Sequence, residues 1–136
     1  MTQYLQDTAE AIGEDMINPG LCHFVWRACN NVVFEHMRSS DFIAFINLHK
    51  EAPIPIIKDR RVGKMCHVLY QLSLNHSIPG LANQWLEYMI DVLGIDNDTY
   101  QHHHIINFNL LGTSKSNKEF AERIQKAIKL ADFINL

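Results

Sequence analysis

The sequence predicts an all-α protein: one irregular or orthogonal bundle of six or seven helices, with residues 1–136 forming a single helical domain. Three observations point there. Apolar residues recur every three or four positions along most of the chain. Helix start and stop signals punctuate it, and the links between the periodic segments are short. At 136 residues the chain is long enough to bury one core.

The first segment, residues 2–17, carries Leu5, Ala9, Ile12 and Met16 on one helical face and Asp7, Glu10, Glu14 and Asp15 largely elsewhere. This predicts an amphipathic helix with an acidic outer side, weakened at Gly13.

Asn18 to Arg38 is the most apolar long stretch and predicts a central helix. Asn18 suits the N-cap, and Pro19 suits the first helical position, where its missing N–H leaves nothing unpaired. At about 100° per residue, Leu21, Cys22, Val25, Trp26, Ala28, Cys29, Val32, Val33 and Met37 share one broad arc. The other side holds His23, Arg27, Asn30, Asn31 and Arg38. Phe34 falls inside that polar stripe, where it either covers a neighbouring loop or anchors a binding face. His36 falls inside the apolar arc and predicts a partly buried imidazole. Cys22, Cys29 and His36 line up, but residues seven apart on a helix are separated by about 10.5 Å, whereas zinc reaches about 2.0–2.3 Å to each ligand. They cannot share one ion.

Ser39 or Ser40 can cap a helix from Asp41 to about Lys50, with Phe42, Ile43, Phe45 and Ile46 inward. Pro53-Ile54-Pro55-Ile56-Ile57 reads as extended, because the prolines fix φ and remove donors, and its apolar character predicts a cover. A helix from Asp59 to about Asn75 turns Val62, Met65, Cys66, Leu69 and Leu72 inward. It turns Arg60, Lys64, His67, Gln71 and Asn75 outward. Lys58, Arg60 and Arg61 then stand in its first turn, against the helix dipole. That suits either an anionic partner or a solvated face neutralised by Asp59.

Residues 77–80 form a break. Leu81, Ala82, Trp85, Leu86, Met89, Ile90 and Leu93 then give the cleanest helical periodicity, and Gly94 with Ile95 reads as a stop with an apolar contact past the cap. Residues 99–111 read as a helix although 106–110 alternate as a strand would, since a lone strand leaves its backbone unpaired. Ser116 and Glu119 match a capping box. Phe120, Ala121, Ile124, Ala127, Ile128 and Ala131 form the inner face of the last helix, with Lys118, Arg123, Lys126 and Lys129 outside. Phe133, Ile134 and Leu136 predict a C-terminal end that docks.

Composition narrows the function classes. A net charge of -3 argues against a general nucleic-acid binder. The three cysteines, Cys22, Cys29 and Cys66, stand at apolar positions and predict free, reduced thiols in a cytoplasmic protein. The acidic N-terminal stretch does not read as a secretory leader, and no apolar run has membrane-spanning length, so no membrane partner is expected.

The sequence contains no nucleophile elbow, phosphate-binding glycine loop, dinucleotide fingerprint or EF-hand loop, and no cofactor is expected. His102-His103-His104 fan out about 100° apart on a helix and read as a polar surface patch, with no metal expected. Arg61 and His67 fit the arginine-to-histidine spacing of HEPN ribonucleases, which are also small and all-α. There the arginine stabilises phosphate charge and the histidine moves a proton. However, Val62 stands where a polar residue is usual, and Arg61 and His67 would lie about 120° apart around a helix. The match assigns no family and stands as the enzyme alternative.

The lack of catalytic motifs predicts a protein that works through a surface. The leading expectation is a small protein-binding domain, in its narrowest form an inhibitor or immunity-type protein that neutralises a toxin or nuclease by binding it. The candidate contact residues are Phe34, Arg27, Arg38 and Asn30, with the acidic Glu10, Glu14, Asp15, Asp96 and Asp98. A helical adaptor or oligomeric subunit is a further alternative.

Overall fold

Asn18 starts the first helix as its residue type dictates. Its side-chain oxygen accepts hydrogen bonds from the Gly20 and Leu21 N–H groups at 2.8 and 3.2 Å, and Pro19 follows at the first position. The computed structural model describes residues 5, 7, 8, 13, 15–105 and 114–134. Among them are six α-helices and no strand. They are α1 (Pro19–Cys29), α2 (Ser39–Ile46), α3 (Val62–Leu74), α4 (Ala82–Val92), α5 (Asn97–His103) and α6 (Lys115–Ile134), with a 3₁₀ turn at Pro79–Leu81. The all-α bundle is therefore what the periodicity predicts.

The central helix is shorter than its periodicity implies. It ends at Cys29, Asn31 takes a φ of 60°, and the chain reverses. Asparagine tolerates that left-handed conformation, which makes Asn30-Asn31 a stop signal inside an apolar pattern. The Asn30 side chain holds the reversal. Its oxygen accepts from the Met37 N–H at 3.0 Å, and its nitrogen lies 3.0 Å from His36 Nδ1. Val32 and Val33 belong to the turn, their N–H groups donating to the Cys29 carbonyl at 3.0 and 2.8 Å. Phe34 bridges Ile57, with Glu35 N–H donating to the Ile56 carbonyl at 2.8 Å and Lys58 N–H to the Val33 carbonyl at 2.9 Å. The consequence reverses two expectations. Phe34 is 0% exposed and stacks on Phe42, whereas His36 is exposed.

The segment 53–57 is extended as expected, but only one side is covered: Pro55 is buried while Ile54 and Ile56 are exposed. Neither Ser39 nor Ser40 caps α2. The helix starts at Ser39, whose hydroxyl lies 2.8 Å from His23 Nδ1, and Arg38 pairs with Asp41 at 3.1 Å. It stops at Ile46 rather than near Lys50. Asn47 turns its oxygen to the Ile17 N–H at 2.9 Å, and Leu48 adopts a φ of 64°.

Arg60 also has a positive φ, of 62°, so α3 begins at Val62 and the Lys58, Arg60 and Arg61 cluster precedes the helix instead of forming its first turn. The stop of α4 follows expectation in detail. Gly94 at φ 70° donates to the Asp91 carbonyl, Ile95 donates to the Ile90 carbonyl, and the Ile95 side chain is buried. Helix α5 ends at His103, short of the expected 111; residues 106–113 lie outside the described residues. Ser114, not Ser116, caps α6, its hydroxyl accepting from the Asn117 N–H at 3.1 Å. At the other chain end, Leu5, Asp7 and Thr8 are helical, but Gly13 at φ 71° breaks the expected continuous helix to residue 17.

Helix α1 packs along α6 and against α2; α3 packs against α4 and α5 and also reaches α6. Thus α6 joins the two halves. Its inner face, Phe120, Ala121, Ile124, Ala127 and Ala131, is buried. Of the residues expected to dock at its C-terminal end, Phe133 is 75% exposed and Ile134 62%, while Leu136 lies outside the described residues. Among the described residues no helix is long and apolar enough to cross a membrane.

Candidate functional site

The long contact between α1 and α6 leaves a groove on the outside. Phe24, Arg27 and Ala28 enter it from α1; Arg123, Lys126, Ala127 and Leu130 enter it from α6. Both sets follow helical spacing of three and four, so each helix presents one continuous strip. Two facing alanines keep the bottom shallow, and the groove encloses about 250 Å³. A second open depression continues it along α6, beside Glu119, Glu122, Gln125 and Lys129.

The electrostatics are one-sided. Arg27, Arg123 and Lys126 are exposed around the groove. None of them pairs with a described carboxylate within 4.0 Å. Glu119 lies one turn from Arg123 and is engaged with Lys115 at 3.9 Å. The floor is apolar, and Leu130, 43% exposed, continues it towards Phe133 and Ile134. The described lining holds no histidine, cysteine or hydroxyl group. The lining thus sets three cationic side chains beside apolar surface.

Of the expected contact residues that are described, only Arg27 lines this groove. Phe34 is a core residue because the chain reverses before it. Asn30 spends its amide on the turn, and Arg38 is exposed but paired with Asp41. The stripe Arg27, Asn30, Phe34, Arg38 required a helix that continued past Cys29, and no such helix forms. Asp15, Asp96 and Asp98 are exposed, the first ahead of α1 and the other two at the start of α5. Glu10 and Glu14 lie outside the described residues. Arg123 and Lys126 were legible only as an outer face; their partnership with Arg27 is created by the α1–α6 contact.

His67, expected to face outward, is 3% exposed. Its Nδ1–H donates to the His104 carbonyl at 3.1 Å, which leaves Nε2 as a bare acceptor, buried with no partner among the described residues. Its edge faces Phe120, and burial lowers its pKa. Arg61 stays half-exposed ahead of α3. His102 and His103 are exposed and His104 is half-buried. The His103 ring lies against Gly63, where an added Cβ would sit 3.3 Å from it, and the His104 ring stacks on Tyr100 at 4.8 Å and meets Tyr70 edge-on. Among the described residues no three histidine, cysteine or acidic side chains are placed to hold a metal ion.

The cysteines are free and buried. Burial pushes the Cys22 thiol up to about 12 and that of Cys66 up to about 11, and raises Cys29 as well. Such thiols stay protonated and are poor nucleophiles.

The fold and the groove thus define an all-α helical bundle with a cationic, apolar-floored surface cleft. No protein-family model, curated protein or solved structure matches the chain.

Proposed function

We propose that this chain is a small protein-binding domain that engages its partner through the α1–α6 groove. The observation that carries the reading is the set of three exposed cations, Arg27, Arg123 and Lys126, arranged around an apolar floor with no described carboxylate within 4.0 Å. Exposed apolar surface next to unpaired charge is a common composition for an interaction site. The inhibitor or immunity-type form of this function remains its narrowest version. It requires a one-to-one complex in which the partner loses its activity. Support for binding comes from the cationic groove rather than from the dispersed aspartates.

The experiment is affinity capture by the tagged protein from its native cell extract, followed by size-exclusion with light scattering. A stoichiometric complex is expected, and it is lost in Arg27→Glu/Lys126→Glu with the helical circular-dichroism signal intact. A protein that remains a free monomer at every concentration sinks the reading. The ribonuclease alternative gains no support from a buried His67 whose Nδ1 is already engaged. It calls for RNA cleavage that His67→Ala abolishes without unfolding the chain.

A further inference from the structure

We propose that the α1–α6 groove is a docking site for an acidic segment of a partner protein. The segment seats one bulky apolar side chain on Phe24, Ala28 and Leu130 and lays its carboxylates against Arg27, Arg123 and Lys126. This rests on the protein-binding reading and names the chemistry of the partner.

Charge is the first argument. The chain has fifteen acidic and twelve basic residues, so a cluster of three cations runs against its average. Each cation could be neutralised locally, yet none has a described carboxylate within 4.0 Å. Like charges held around one groove repel, and an incoming carboxylate relieves that repulsion as it binds. The second argument is shape. The cations rim a concave strip whose bottom is a ring and aliphatic carbons, so an anion alone would leave the floor wet. A segment carrying both charge and a large apolar side chain uses both parts.

The third argument is length. Along α6 the groove lining runs from Arg123 to Leu130, and the exposed Phe133 and Ile134 extend the strip to eleven residues, about 16 Å of helix. That matches a short peptide segment, either three turns of helix or about five extended residues. Two other anionic surfaces fit less well. A longer phosphate backbone that ran past Arg123 into the adjoining depression would meet Glu119 and Glu122, whereas a short acidic segment ends before them. A lipid surface is flat, whereas the cations here gather about a concavity.

The test is a library of random sixteen-residue peptides displayed on phage and selected on the whole protein. Enriched sequences are expected to combine several Asp or Glu residues with one Leu, Phe or Trp. A fluorescein-labelled winner should lose at least about tenfold in affinity with Arg27→Glu/Arg123→Glu/Lys126→Glu and with Leu130→Asp, as three reversed surface charges would dictate. The variant Arg27→Lys/Arg123→Lys should bind within about threefold of the parent. Far-UV circular dichroism confirms that each variant is folded.

Winners without acidic enrichment overturn the proposal, as do acidic winners that bind the triple variant equally well. In either case the protein-binding reading stands and moves to another face. Failure to select any peptide, together with no captured partner, overturns both. Stronger groove-dependent binding of a twenty-nucleotide single-stranded RNA, or of phosphatidylserine vesicles, would assign the groove to that ligand and overturn the acidic segment.

Discussion

The Phe34 ring lies parallel to the Phe42 ring, with centroids 5.3 Å apart and planes 18° apart, and neither ring is exposed. This pair joins the chain after the α1 reversal to the start of α2. Its ring faces cover each other, so truncating one strips contacts from the other as well. Phe34→Ala is expected to cost about 3–5 kcal/mol, a large share of the stability of a domain this size. Urea denaturation followed by circular dichroism measures it. A loss below about 1 kcal/mol would mean that Phe34 does not sit in the core.

How much of this was legible in the sequence follows from particular residues. The end of α4 was plain because Gly94 can take a positive φ and Ile95 can pack behind it; both signals are local. The end of α1 was not, because the apolar arc continues through Val32, Val33 and Met37 whether or not the chain is helical there. Only the turn chemistry of Asn30-Asn31 marked the stop, and β-branched Val32-Val33 agreed with it. The late start of α3 depended on Arg60 adopting a conformation that arginine rarely takes. The groove was less legible still. Arg27 and Arg123 are ninety-six positions apart, and nothing local to either records that α1 lies along α6.

The glycines offer a clean test of backbone effects. A Cβ at Gly94 would meet nothing within 4 Å, but φ is 70°. Gly94→Ala therefore costs about 1 kcal/mol from left-handed strain alone. Gly80 is equally open and has no positive φ. Gly80→Ala should be neutral or stabilising by up to about 1 kcal/mol, since it restricts the unfolded chain. Thermal melts of the two variants should shift in opposite directions or differ clearly. Equal shifts would contradict the assigned geometry.

Buried histidines make stability depend on pH. His67 and His76 both have pKa values lowered from 6.5, chiefly by burial, so the folded state holds them neutral. The unfolded chain then binds more protons than the folded one once pH falls below about 6.5. The stabilisation is fully present above that value and is lost as pH falls from it through the lowered folded pKa. The urea midpoint should accordingly drop between pH 7.5 and pH 5.5. His67→Asn keeps a donor for the His104 carbonyl and removes the titration, so its midpoint should fall less over the same range. A midpoint that rises on acidification would show that these rings are not held neutral.

Stability and binding should separate at the groove. Arg123 makes no ion pair with a described carboxylate and is exposed, so the fold gains little from its charge. Replacing it by glutamine removes repulsion from Arg27 and Lys126, at the cost of a weak attraction to Glu119 one turn away. These opposing effects are each small, and the melting temperature of Arg123→Gln should stay within about 2 °C of the parent. Leu130 behaves in the same way: at 43% exposure, Leu130→Ser gives up apolar area that is already partly in water. Partner affinity should fall in both variants, because a bound segment would desolvate groups that solvent screens in the free protein. Paired melts and binding isotherms distinguish this from a structural role. If Arg123→Gln lowers the melting temperature by several degrees, its guanidinium holds the fold together, and the loss of binding would no longer report on the groove.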